Sequence, residues 1–190
     1  GDLPISQATL VSNGVGVSLS GNVTIGTGIQ DDVFLVMGAA NEFGPNSVLT
    51  FNNGPGKDAK FELRGFAQTV AGLSSEADDE LSIVQNQEGA NPVTTTLTIN
   101  AQGEHVFHGI IRTQAGGALN LVKTGSGTQE LRNVPGVGYS FGTAAINGGR
   151  LTFNFAGPTG TLGAATTVTV ATGAVLGLDG TWNMNRTVSG

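Results

Sequence analysis

Two histidines and a glutamate lie close enough in the sequence to suggest a metal site. Glu104, His105 and His108 carry the nitrogen and oxygen atoms that a zinc ion binds. In a β-strand, however, side chains alternate between two faces, so His105 and His108 would point in opposite directions unless the chain turned between them. Imidazoles on opposite faces of a sheet cannot share an ion. We therefore interpret all three as ordinary strand residues.

Acidic residues form two further groups. The stretch EADDE at 76–80 offers the oxygen ligands that calcium prefers. It lacks the regular Gly-rich, Asp-bearing nonapeptides of calcium-loaded β-rolls, so we expect a solvated loop. Asp31 and Asp32 form a pair of carboxylates such as glycoside hydrolysis uses. No His or basic strand motif follows them, which argues against a hydrolase or lyase.

A phosphate loop and a sugar-binding surface are the remaining candidate sites. NGPGK at 53–57 resembles a phosphate-binding loop. It lacks the four residues that separate the two glycines of that motif and the Ser or Thr that follows its Lys, which favours a simple turn. Phe66, Tyr139 and Trp182 could stack on sugars if exposed, although we expect them to fill the core or the corners. The sequence therefore predicts no catalytic, cofactor-binding or metal-binding residue.

Composition indicates the kind of fold that must position these side chains. The 190 residues include 31 Gly and no Cys, and 38% are hydrophobic while only 12% are charged. Val, Ile, Leu and Phe recur in short alternating runs separated by Gly and Asn, which is typical of an all-β protein with many tight turns. Because Cys is absent, neither disulfides nor thiol-bound metal can hold the fold.

Charge and hydropathy also limit the partners. The formal net charge is −6, which opposes attraction to phosphate backbones, so we expect no nucleic acid partner. The longest apolar run covers residues 33–37 and is far shorter than a membrane helix. We therefore expect no membrane insertion by this segment.

Strand signals follow one another along the chain, whereas helical periodicity is nearly absent. No window of 11 residues keeps helical spacing without a Gly, Pro or Asn inside it. The clearest predicted strands cover residues 15–18, 22–25, 33–37, 48–51, 60–63, 81–85, 94–99, 105–111, 119–122, 129–132, 151–155, 167–170 and 174–178.

A period of 22 to 24 residues relates several of these strands. Gly stands before a strand at positions 103, 127, 149 and 173, at spacings of 24, 22 and 24 residues. The alternating pairs that follow are His105 and Phe107, Gln129 and Leu131, Leu151 and Phe153, and Leu176 and Leu178. Independent hairpins have no reason to keep this register. Successive coils of a parallel β-solenoid do, because each coil lays the same strand on the coil below it.

A longer period is also visible in the sequence. Residues 168–190 follow the same plan as residues 49–72, after a shift of roughly 115 to 119 positions. The correspondence pairs Leu49 with Val168 and Phe61 with Leu176. We interpret this as a repeat of about five coils, and we expect the chain to be a fragment of a longer array on which another coil docks.

Part of the chain resembles a known repeat. The sequence reads FHGII at 107–111, LVKTGSGTQEL at 121–131 and INGGRLTF at 146–153. This pattern resembles the autotransporter-associated β-strand repeat. The matching residues are Phe107, Gly109, Ile111, Leu121, Lys123, Gly125, Gly127, Thr128 and Leu131. Gln129 replaces an apolar residue of the repeat, Arg150 stands where Thr is common, and the match loosens over 133–142.

The resemblance covers most of residues 33–190 and implies a right-handed parallel β-helix from a bacterial surface protein. Autotransporter passenger regions are the best-known members of this class, and the repeat supplies no catalytic residue. Together with the short period, it leads us to expect an all-β fold: a single β-solenoid of about eight coils, continuous over residues 1–190.

Two classes of function remain open at this point. The first is a non-enzymatic, extracellular segment of a stalk, fibre or adhesin at the bacterial cell surface. It would stack end to end on neighbouring repeats of the same chain or on other copies, with surface glycans as a further candidate partner. The second is a β-helix that binds or cleaves polysaccharides, with Asp31 or Asp32 as the residues to test. Neither class requires a cofactor.

Overall fold

The computed structural model is built from short strands. It describes residues 3–5, 9–11, 19–28, 32–54, 56–75, 81–87, 93–114, 117–135, 137–155, 162, 167–180 and 188–189, and no helix occurs among them. The first ten strands are β1 (Leu3–Ile5), β2 (Thr9–Val11), β3 (Val23–Ile25), β4 (Val33–Val36), β5 (Val48–Phe51), β6 (Ala59–Glu62), β7 (Gln68–Val70), β8 (Gly72–Ser75), β9 (Ser82–Asn86) and β10 (Thr95–Asn100). The others are β11 (Glu104–His108), β12 (Ile110–Thr113), β13 (Leu119–Thr124), β14 (Thr128–Arg132), β15 (Thr143–Ile146), β16 (Arg150–Phe155), β17 (Thr167–Val170), β18 (Val175–Gly180) and β19 (Val188–Ser189).

These strands wind around three faces, and each ladder between them is parallel. The first face carries two successive four-stranded sheets, β1-β3-β5-β8 and β11-β14-β16-β18. The second face carries the five-stranded sheet β2-β4-β6-β9-β12, and the third carries the six-stranded sheet β7-β10-β13-β15-β17-β19. The predicted fold class, a parallel β-solenoid, is therefore confirmed, while its right-handed sense stays a prediction.

The longest unbroken ladder has six strands, so about six turns are continuous. This is somewhat fewer than the eight coils expected from the sequence. The coils differ in length, since the step between equivalent residues runs from Gln68 to Leu97 in one coil but only from Thr128 to Arg150 in another. Coils with long corners use more of the chain.

The register predicted for the first face is confirmed. One inward column contains His105, Gln129, Leu151 and Leu176, and the next contains Phe107, Leu131, Phe153 and Leu178. Phe107, Leu131 and Phe153 are fully buried. On the second face, Leu35, Phe61 and Val84 form a matching column. Each buried side chain of this size contributes roughly 1.5–3 kcal/mol of gross stabilisation, which a coil gains only by stacking on its neighbours.

One predicted strand is divided in two by a corner. Residues 105–111 were expected to form a single strand, but β11 ends at His108 and β12 begins at Ile110. The chain turns at Gly109, where a Cβ would lie 2.3 Å from the carbonyl oxygen of Ser82 in the preceding coil. Only glycine allows the backbone to approach this closely.

The longer period predicted from the sequence is wrong as a structural repeat. Leu49 lies on the first face, whereas its counterpart Val168 lies on the third. Phe61 lies on the second face and its counterpart Leu176 on the first. A repeat of whole coils would return each residue to the same face. The two segments share only the pattern of strand, corner and strand, which any two neighbouring faces display.

Glycines at the corner before the first face bring successive coils into backbone contact. A Cβ at Gly127 would lie 2.1 Å from the carbonyl oxygen of Gly103. A Cβ at Gly149 would lie 2.3 Å from the carbonyl oxygen of Gly127. At Gly127 and Gly149, the short glycine period therefore reflects a close approach of backbones that side chains would block.

We expect Gly127→Ala to lower the free energy of unfolding by about 1–3 kcal/mol, because the added methyl group must displace the backbone of the coil below. Urea titration followed by circular dichroism measures this loss. Gly103→Ala is the matched control, since among the described residues a Cβ there would have one neighbour within 4 Å, His105 Nε2 at 3.9 Å. Equal losses in the two variants would show that coil contact is not the cause.

Candidate functional site

The first face is interrupted between β8 and β11, where no ladder joins the two described sheets. We call this interruption the seam. Ser75 bridges it with one hydroxyl group. Ser75 Oγ donates to the carbonyl oxygen of His108 at 3.1 Å and lies 3.0 Å from the His108 amide, from which it accepts. The Ser75 side chain thus replaces part of the backbone hydrogen bonding that joins neighbouring strands elsewhere on the first face.

Gln129 crosses the seam from β14 and binds the backbone of β8. Its side chain is fully buried. Its Oε1 accepts from Leu73 N at 3.0 Å, and its Nε2 donates to Leu73 O at 3.0 Å. A carboxamide offers the same donor and acceptor as a peptide group. Gln129 therefore presents to β8 the hydrogen bonds that a neighbouring strand would give, which explains why an amide stands at an inward position of β14.

A second buried glutamine has an equivalent role on the third face. Gln68 belongs to β7, the end strand of the six-stranded sheet. Its Oε1 accepts from Glu42 N at 3.0 Å, and its Nε2 donates to the carbonyl oxygen of Ala39. The carboxamide thus satisfies backbone groups of the preceding coil at the edge of the ladder.

His105 faces the interior at the seam. Its ring lies over Gly72, where a Cβ would be 2.4 Å from the imidazole, and its Nδ1 lies 3.4 Å from Ser74 Oγ. Burial, and to a lesser degree the charge of Lys123, lowers the pKa of His105. The imidazole is therefore held in its neutral form at a pH where an exposed histidine begins to accept a proton.

Lys123 lies on the inward side of β13 and is fully buried. Its Nζ donates to the backbone carbonyl oxygens of Thr124, Gly125 and Gly148. An ammonium group has three donors, and these three acceptors satisfy all of them. Burial lowers the pKa of Lys123, while the three bonds join its own corner to the next coil.

These contacts bind the backbone. Glu104, His105 and His108, considered above as metal ligands, do not converge on one point. His105 shares the inward side of β11 with Phe107, and His108 lies on the opposite side, as predicted. Glu104 is exposed. Within the part of the chain that the structure describes, no three His, Cys, Asp or Glu residues are placed to hold a metal ion.

Of the acidic residues considered above, Asp32 is the one whose contacts the structure describes. Asp32 Oδ1 accepts from Asp58 N at 3.0 Å, so this carboxylate binds the backbone of the next coil. Asp31 and the stretch 76–80 lie outside the described residues. The turn predicted at 53–57 is confirmed, because Lys57 N donates to Gly54 O at 3.0 Å and Asn53 Nδ2 donates to Lys57 O at 3.1 Å.

Tyr139 is a core residue, as expected, and no platform for sugars. It is 1% exposed, and its ring centroid lies 5.7 Å from that of Phe155 and 6.0 Å from that of Phe153. Burial raises the pKa of Tyr139 well above its ordinary value. Phe66 is 37% exposed, and Trp182 lies outside the described residues.

No protein-family model matches the chain, and no similar protein is found among curated proteins or among solved structures. The resemblance to the autotransporter-associated repeat therefore stays a prediction. The nine residues that carry it span one coil, from Phe107 on β11 to Leu131 on β14. Among the described residues, no helix is long and apolar enough to cross a membrane.

We expect Gln129→Leu to destabilise the fold by about 1–3 kcal/mol for each backbone group of Leu73 that loses its partner. Leucine suits the column otherwise, since Leu151 is the next residue in register. The loss is measured by urea titration. Gln102→Leu is the control because Gln102 is exposed. A Gln129→Leu protein as stable as the unsubstituted chain would refute the role of the carboxamide.

The lowered pKa of His105 predicts a stability that depends on pH. The unfolded chain takes up a proton near pH 6.5, whereas the folded chain does so only at lower pH. The unfolded state therefore binds more protons in this window, and stability falls as the pH drops below about 6.5. Urea midpoints between pH 7.5 and about pH 5 should show this slope. His105→Gln should remove it and His108→Gln should keep it; the reverse result would assign the slope to His108.

Proposed function

We propose that this chain is a non-enzymatic structural segment of an extracellular stalk, fibre or adhesin that lengthens by stacking coils at its ends. The observation that carries the proposal is an inward column whose last residue no described strand covers. Leu178 is in register with Phe153, which is fully buried, yet Leu178 is 37% exposed. A further coil laid on β18 would cover it.

At the opposite end of the described solenoid, an inward apolar side chain is exposed as well. Leu10 on β2 is in register with Leu35, which is fully buried, but Leu10 itself is 38% exposed. Val11 beside it is 51% exposed. Inward apolar side chains and an unpaired strand edge together favour association with another parallel strand. The partner would be a neighbouring repeat of the same chain or another copy of it.

The polar side chains inside the solenoid support a structural role. Gln68, Lys123 and Gln129 each satisfy backbone groups there, and Asp32, which is exposed, does so at the surface. Polysaccharide cleavage, the alternative class, gains no support from Asp32, whose carboxylate is engaged with Asp58 N. The extracellular, cell-surface location in this proposal rests on the resemblance to the autotransporter-associated repeat, and surface glycans remain a candidate partner.

We expect the purified chain to associate end to end, and we expect Leu178→Glu to weaken that association because it places a charge on the open column. Multi-angle light scattering across a concentration series measures the change in mass. Val106→Glu is a matched control, since Val106 is also 37% exposed but lies on the outside of β11, away from both ends of the described solenoid. A strictly monomeric chain, or equal effects of the two substitutions, would count against the proposal.

A further inference from the structure

The outer surface of the third face is uncharged throughout its described part. One column of outward side chains contains Thr96, Asn120, Thr143 and Thr167. The next column contains Thr69, Thr98, Val122, Ala145 and Thr169. We call this surface, on β7, β10, β13, β15 and β17, the threonine face.

The other two faces carry charge on their outer surfaces. Glu130 pairs with Arg132 on the first face, at 2.7 Å between Oε1 and Nε. Lys60 and Glu62 lie outward on the second face. The chain therefore concentrates its charges on two faces and leaves the third with hydroxyl, amide and methyl groups only. Charged side chains on a protein surface favour solubility. A face without them is therefore suited to an uncharged ligand.

The parallel ladders arrange these side chains in a two-dimensional lattice. Neighbouring strands lie about 4.7–4.9 Å apart, which sets the spacing along the solenoid axis. Alternate residues of one strand, such as Thr96 and Thr98, lie about 6.6–6.8 Å apart, which sets the spacing across it. Thr is β-branched and stiff at χ1, so its hydroxyl and methyl groups keep the spacing of the backbone.

Several of these hydroxyl groups are available to a ligand. Thr143, Thr167 and Thr169 are exposed, and Thr96 and Thr98 are half-buried. Within the described part of the chain, none of these five forms a hydrogen bond through its side chain. A threonine hydroxyl both donates and accepts, so each can bind a water molecule in the same orientation as its neighbours.

Most classes of ligand do not fit this surface. It has no Lys or Arg to neutralise phosphates or anionic glycans. Its described strands place no aromatic ring outward for a sugar to stack on. It is too rich in hydroxyl and amide groups to resemble the apolar centre of a protein interface. What fits is a flat, uncharged, periodic partner that donates and accepts hydrogen bonds at the threonine and asparagine positions and tolerates the methyl groups of Val122 and Ala145 between them.

We propose that the threonine face binds ice. The spacing along the solenoid axis is close to the shorter repeat of the prism face of hexagonal ice, in which every water molecule both donates and accepts. Each hydrogen bond to ice is weak. Because the lattice is rigid, many such bonds form together without a separate loss of conformational entropy for each one. This inference goes beyond the structural role proposed above and does not depend on end-to-end stacking.

The test is partition of the purified chain into slowly growing ice. We expect the unsubstituted chain to be enriched in the ice fraction relative to an inert globular protein of similar mass. Thr98→Tyr and Thr143→Tyr each raise a ring above the flat surface, and both should reduce enrichment to the level of the inert protein. Circular dichroism and urea titration of each variant verify that the solenoid remains folded.

Thr128→Tyr is the matched control, because Thr128 faces outward on β14 of the first face, and it should keep the enrichment. Exclusion of the unsubstituted chain from ice would overturn the proposal, as would an equal loss in the Thr128→Tyr variant. Binding to crystalline cellulose that Thr98→Tyr abolishes, without enrichment in ice, would assign the face to a polysaccharide and would also overturn it.

Discussion

Hydrogen bonding between the backbones of neighbouring coils is the constraint on which this structure depends. A solenoid places most of its peptide groups away from water, and each must find a partner one coil away. The parallel ladders supply these partners on all three faces. At the seam and at the edge of β7 the ladder stops, and there Gln129 and Gln68 substitute carboxamides for peptides. The buried polar residues follow from this requirement.

The same requirement explains the polar interior that accompanies the seam. His105 can face inward only because Gly72 leaves space for its ring, and Lys123 can be buried only because three carbonyl oxygens surround its ammonium group. Residue types that usually indicate catalysis or metal binding here satisfy or accommodate the backbone. A cluster of such residues on a solenoid is therefore weak grounds for an active site until its backbone contacts are known.

The sequence was sufficient for the fold class and for the register of β11, β14, β16 and β18, because alternation and glycine spacing depend on the ladder itself. It missed β1, β2, β7, β8, β15 and β19. In β7, Gln68 interrupts the apolar pattern, and the TAAI segment of β15 contains two alanines, which are depleted in strands. The seam could not be predicted, because a single glutamine whose carboxamide replaces a peptide group leaves no repeating pattern in the sequence. The threonine face was hidden for a similar reason: its columns join residues from five strands that only the register brings together.

The seam also has a mechanical consequence. A solenoid pulled along its axis carries the load through its levels in series, so the level with the weakest connection determines where it parts. Most levels of the first face are joined by backbone ladders, but the level between β8 and β11 is held there by the side chains of Ser75 and Gln129. Under tension, this level would rely on the backbone ladders of the other two faces, between β9 and β12 and between β10 and β13.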